Sequence, residues 1–171
     1  MVNRRKFLAF LGVGAATLAG GGMLIALLPD SEKKTEGPPE IVYGSDSCAH
    51  CRMIISDARF AAGWRDASAD ETHFDDIGCM VNHAREHPPA QPVQFWVHNY
   101  NTEEWLDASL ASFIIDPSIK TPMSYGIAAA GSPEDAKSLA PEGDVTGWAG
   151  LPDVVEAKGY ACQLQPTKSI Q

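Results

Sequence analysis

Apolar residues fall along this chain in one long block followed by short, interrupted runs, and the two patterns predict different structures. Phe7–Leu28 is 22 residues without a charge. As a helix at about 1.5 Å per residue it would span roughly 33 Å, one hydrocarbon core. Ser31–Glu40 (SEKKTEGPPE) is polar and ends in prolines, the composition of a linker. From Ile41 onward the apolar runs are short and punctuated by Gly, Pro, Asn and Asp, as in a small mixed domain.

Within that domain, Arg52–Tyr100 predicts strands at Ile54-Ile55 and Ala58–Trp64 and a helix over Ile77–Glu86 opened by Asp75-Asp76. Pro88-Pro89 stops the helix, and Val93–His98 is a further strand. Ser112–Trp148 repeats the order, with strands at Phe113-Ile114-Ile115 and Ser124–Ala130. A helix then starts at Ser132-Pro133-Glu134-Asp135, where Ser is the cap, Pro takes the first helical position and acids fill the first turn. Pro141-Glu142-Gly143 ends it before a strand at Asp144–Trp148. The expected fold class is α+β, two similar ββαβ halves with little identity between them. The chain after Leu151, with its lone Cys162, reads as partly irregular. The division is a signal or anchor over 1–30, a linker over 31–40, a folded domain over 41–165 and a tail over 166–171.

Charge changes the reading of the first segment. Asn3-Arg4-Arg5-Lys6-Phe7-Leu8 looks like a twin-arginine export signal. Its basic residues precede the apolar block, which places the domain outside the cytoplasm, periplasmic or otherwise extracytoplasmic. An ordinary secretion signal with a chance Arg pair would export the protein equally. Ala19-Gly20-Gly21 is a poor cleavage site and the apolar run continues past it, so retention as a membrane anchor is expected. No Cys stands near its end to carry a lipid. The whole chain has 13 Lys and Arg against 22 Asp and Glu, a net charge of −9. Residues 1–36 hold five basic and three acidic residues, which leaves 8 against 19, or −11, for the rest. A body that acidic with no basic cluster argues against nucleic acid as a partner.

Four cysteines are too few for a disulfide scaffold, and two of them form Cys48-Ala49-His50-Cys51-Arg52-Met53. Two thiolates three apart can hold one ion, and a thioether two residues on makes the set soft, suited to Cu(I) over Zn(II) or hard cations. The competing structural reading is a Cys48–Cys51 disulfide with Met53 in the core. In His73-Phe74-Asp75-Asp76-Ile77-Gly78-Cys79-Met80, Cys79 and Met80 sit in the first helical turn, where they supply an outer ligand or a thiol near the metal, or else pack the helix. The two acids read as caps. Thr121-Pro122-Met123-Ser124-Tyr125-Gly126 offers Met123 as a further thioether, or as a core residue. His83 and His87 have a zinc-compatible spacing but read as a solvated helix face. Trp64, Trp96, Trp105 and Trp148 read as packing residues. No nucleophile elbow, phosphate loop or dinucleotide fingerprint is present, so the expectation is a non-enzyme.

These three motifs, in this order and followed by the helix start Ser132–Ala136, resemble the NosL family of exported copper-binding accessory proteins of nitrous oxide reductase maturation. The resemblance covers about Tyr43–Trp148. It implies a Cu(I) carrier with a fold resembling the alkylmercury lyase core. Carried across by position, Cys51 and Met53 are the primary ligands, with Cys48 and Met123 as further candidates. The implied partners are an apo cuproenzyme, nitrous oxide reductase, a copper-exporting or ABC-type assembly complex, and the membrane through the N-terminal segment. Two departures stand out. Family members are typically lipoproteins, and many have Gly where this chain has Arg52, which sets a cation beside a thiolate. Two other functions remain open on the residues: a thiol-disulfide oxidoreductase using Cys48 and Cys51, and a structural zinc domain. The first lacks a helix start at its Cys pair and the second lacks an evident fourth ligand.

Overall fold

The structure, a computed structural model, describes residues 37–157. The anchor segment 1–30, most of the linker 31–40, Cys162 and the tail 166–171 lie outside the described residues. Among the described residues no helix is long and apolar enough to cross a membrane.

The first half is a four-stranded antiparallel sheet of β1 (Ala62–Arg65), β2 (Glu71–Phe74), β3 (Gln94–His98) and β4 (Trp105–Asp107), with spatial order β2-β1-β3-β4. Helix α1 (Ile77–Glu86) joins β2 to β3. The second half is a three-stranded antiparallel sheet of β5 (Ser112–Ile115), β6 (Ile127–Ala130) and β7 (Asp144–Gly147), in the order β6-β5-β7. Helix α2 (Pro133–Leu139) joins β6 to β7. In both halves the first strand is central, the second and third flank it, and the helix lies between them in sequence. Register follows burial: Ala62 pairs with Phe74 on one side and Val97 on the other, all three buried. The Tyr100 N–H donates to the Ala129 carbonyl at 2.8 Å and links the end of β3 to β6.

Both helices begin where the caps predict. Asp76 accepts from the Gly78 N–H at 2.9 Å, and Ser132 accepts from the Asp135 N–H at 3.1 Å with Pro133 behind it. Each satisfies a backbone donor that a helix start leaves orphaned. The strands correct the sequence reading at five places. Ile54 forms only a single bridge, to Ser47. Ala58–Phe60 is a turn, because the Asp57 carbonyl accepts from Phe60 and Ala61, and pairing starts at Ala62. The partner strand is instead Glu71–Phe74, whose polar, half-exposed side chains carry little apolar signal. Trp105–Asp107 adds a fourth strand to the first sheet. In the second half, positive φ at Ser124 and Gly126 delays β6 to Ile127.

The chain after Leu151 is helical as far as the structure describes it: α3 spans Leu151–Ala157. Leu151 and Val155, one turn apart, are buried where α3 packs on α1. Burying two such side chains favours the helix by about 1.5–3 kcal/mol each, enough to order a segment whose turn residues suggest a coil.

Candidate metal centre

The Cys48–Met53 segment is a tight loop at the end of a miniature hairpin. Below it, the Ile55 N–H donates to the Asp46 carbonyl at 2.9 Å. The Cys48 N–H donates to the Met53 carbonyl at 2.8 Å, and the Arg52 N–H to the Cys48 carbonyl at 3.0 Å. Closing so short a loop forces Arg52 to φ 69, the left-handed region that favours glycine. Glycine would meet that requirement without strain.

A second hydrogen bond seats this loop on the end of β2, with the Ala49 N–H donating to the His73 carbonyl at 2.9 Å. The chain then runs through Phe74 and Asp75 into the Asp76 cap, so Cys79, in the first turn of α1, faces the loop. Cys48, Cys51 and Cys79 are free thiols. Their Sγ atoms and a carboxylate oxygen of Asp75 all lie within 4.8 Å of one another. Cys48 and Cys79 are fully buried, Asp75 is 2% exposed and Cys51 is half-buried at the mouth.

The Cys51 thiol donates to Asp75 Oδ1 at 3.2 Å. Asp75 Oδ2 is buried and has no hydrogen-bond partner. A buried carboxylate oxygen left unpaired is costly, so an orphan one beside three thiols has the chemistry of a cation site. The thiols are also unequal. The Cys79 S–H donated to Cys48 brings the Cys48 thiol down to about 7, against the opposing effect of burial. Cys79 is raised, first because it holds that proton for Cys48 and then because it is buried. Burial pushes Cys51 up to about 12. One thiolate is thus available near neutral pH, with two protonated thiols around it to be ionised as an ion binds.

The candidate residues divide in their placement. Cys48 and Cys51 meet in the cluster. Met53 is 48% exposed on the loop beside them. Met123 is half-buried against the core that contains Cys48 and Cys79. Its segment is docked on the start of α1: the Met123 N–H donates to Asp76 Oδ2 at 3.0 Å, and Asn82 Nδ2 donates to the Tyr125 hydroxyl at 3.0 Å. The Tyr125 ring lies so close to the backbone of Gly78 that a Cβ there would collide with it. Cys79 and Asp75 join the cluster although the sequence reading placed neither among the principal ligands. One signal was available, since a helix start uses one capping acid and Asp75-Asp76 supplies two. Asp76 is the cap, and Asp75 is not.

The histidine face is corrected as well. His83 is not simply solvated: its ring lies 5.4 Å from Phe74, 5.7 Å from Trp64 and 6.0 Å from His50. Burial and then repulsion from His87 and His50 lower its pKa. His87 is exposed at the helix end, as the Pro88-Pro89 pair that follows it predicts.

The family model that matches this chain is NosL, over residues 40–153. No curated protein matches significantly. Among solved structures, the chain is similar to one titled as the crystal structure of the copper chaperone NosL from Shewanella denitrificans. The two share 15% identity at a TM-score of 0.56, over 68% of this chain and 95% of that one.

Proposed function

This chain belongs to the NosL family, and from that membership and its thiol cluster we propose that it is a Cu(I) chaperone, a carrier and not an enzyme. The observation that carries the reading is the convergence of three free thiols, two of them buried, on one point beside an orphan carboxylate oxygen. Soft thiolates select monovalent copper over harder ions, and burial shields them from competing water. Copper is here the cargo. Cys48, Cys51 and Cys79 would hold it, with the half-exposed Cys51 at the face where it enters and leaves. Met53 and Met123 are further thioether donors on the loops that border the cluster. The likeness to a structure titled as a copper chaperone agrees with this reading.

The finer parts of the proposal rest on the sequence. The domain is exported by its twin-arginine segment and held at the membrane, and it supplies an extracytoplasmic cuproenzyme, nitrous oxide reductase, with an ABC-type assembly complex as a further partner. The paired ββαβ halves are the frame that the family resemblance relates to the alkylmercury lyase core.

Anaerobic titration of reduced protein with Cu(I) against a competing chelator, with X-ray absorption on the loaded form, tests the reading. One tightly bound equivalent in a sulfur shell is expected. Tight zinc binding with no preference for Cu(I) would replace this reading with a structural zinc site. Turnover of a disulfide substrate dependent on Cys48 and Cys51 would replace it with an oxidoreductase.

A further inference from the structure

We propose that Cys48, Cys51 and Cys79 together form a capture site for trivalent arsenic, supplied as arsenite, and that arsenite and copper exclude each other there. The exclusion rests on the copper reading above; the capture rests on the thiols alone. Trivalent arsenic makes three bonds and carries a lone pair in the fourth direction, so it is held best by three thiols converging on one side of a point. Two thiols leave one hydroxyl on the arsenic, and the adduct is correspondingly labile.

Three free thiols with every Sγ within 4.8 Å of the others supply that arrangement, from two separate segments of the chain. A C-x-x-C pair by itself offers two sulfurs; the third comes from the first turn of α1. Cys51 is half-buried and is the route of entry, while Cys48 and Cys79 are enclosed and protect the product from water. The reaction is ligand exchange without redox change. Three As–O bonds break, three As–S bonds form, and the thiol protons leave with the displaced hydroxides as three waters. Asp75 has no bond to make, because the arsenic lone pair occupies the remaining direction. That separates this ligand from a metal cation, which would draw on the orphan Asp75 Oδ2.

The test uses the full chain carrying Cys162→Ser, so that only these three of its four cysteines remain. Reduced protein is mixed with sodium arsenite without oxygen and its intact mass is measured. One arsenic gained with three hydrogens lost is the expected result. An adduct that keeps a hydroxyl on the arsenic, gaining AsOH for two hydrogens lost, or no adduct, overturns the proposal. Cys79→Ser and Cys51→Ser should each weaken arsenite binding by about tenfold or more and leave a two-hydrogen adduct. If Cys79→Ser does not fold, Cys51→Ser and the hydrogen count decide the question. Preloading with one equivalent of Cu(I) should abolish the adduct, and a three-hydrogen adduct formed with copper still bound overturns the shared site. Arsenite capture by three thiols in a protein that binds no copper would support the arsenic site and overturn the copper reading. Copper binding with a two-hydrogen adduct would do the reverse.

Discussion

The backbone N–H of Met123 donates to Asp76 Oδ2 at 3.0 Å, across 47 residues of sequence. Asp76 is already the cap of α1, accepting from Gly78 through its other oxygen. One buried carboxylate therefore fixes both the helix start that carries Cys79 and the loop that carries Met123. Burial raises its pKa, and these hydrogen bonds work against that shift. Asp76→Ala should cost about 2–4 kcal/mol, the sum of a lost cap and a second buried acceptor. Urea denaturation measures this. A loss below about 1 kcal/mol would show that the two segments are held independently.

Copper affinity should depend on pH through Cys48. Its thiol lies at about 7, so protons compete with Cu(I) for that sulfur as pH falls below neutrality. The thiolate ultraviolet absorbance of reduced apo-protein should rise with a midpoint near that value. Cys48→Ser should remove the transition. Cys79→Ala should move it upward toward the ordinary thiol value of about 8.5, because the S–H donated to Cys48 is gone. An unmoved midpoint would mean that something other than Cys79 stabilises the thiolate.

The ligand set can be separated from packing by pairing copper affinity with melting temperature. Cys51→Ser should abolish tight Cu(I) binding with little change in stability, since Cys51 is half-buried. Met53→Leu, on a side chain 48% exposed, should leave the fold within about 1 kcal/mol and lower copper affinity if the thioether binds. Cys79→Ser should lower both, being fully buried and in the cluster. Full copper affinity in Cys79→Ser would remove it from the ligand set.

Arg52→Gly should stabilise the protein by up to about 1 kcal/mol, because φ 69 costs an L-residue strain that glycine lacks. Arg52→Ala should bring no such gain, as its Cβ meets the same restriction. Thermal denaturation of the three proteins side by side gives the answer. Equal melting temperatures for the Gly and Ala variants would show that the loop does not hold Arg52 under strain.

Mild acid should weaken the fold through His98. Its Nδ1–H donates to the Glu103 carbonyl at 2.7 Å, and its Nε2 lies 2.8 Å from the Tyr43 hydroxyl, from which the neutral ring accepts. Burial lowers its pKa. The folded value lies below the unfolded one of about 6.5, so the stabilisation is complete above that pH and is lost as pH falls through the folded value. His83, also lowered, adds in the same direction. Melting temperature should fall from about pH 7 to about pH 5, and less steeply in His98→Gln. A parallel fall in the variant would assign the acid sensitivity elsewhere.

Local signals carried much of the fold. Asp76 and Ser132 mark their helices because a short side-chain acceptor next to a run of helix formers satisfies the first amides wherever it occurs. The segments at Gln94–His98 and Ser112–Ile115 read as strands because their apolar residues bury against a core on any plausible pairing. Glu71–Phe74 did not, since a flanking strand takes its hydrogen bonds from β1 and needs little apolar content of its own. The helix after Leu151 was equally hidden: two buried side chains decide it, and their partners lie on α1.

The soft chemistry of the site was local too, because Cys48, Cys51 and Met53 are within six residues and any tight turn brings a C-x-x-C pair together. The donor types, the helix caps and the ββαβ order of the second half were thus legible from local signals alone. Tertiary structure alone decided that Cys79 and Asp75 complete the cluster, and that the Met123 loop is clamped to the same helix start. Neither follows from spacing, since Cys79 is brought to Cys48 by the pairing of β1 with β2 and by the loop hydrogen bond between Ala49 and His73. Those are contacts between segments far apart in the chain, and they exist only once the sheet has formed.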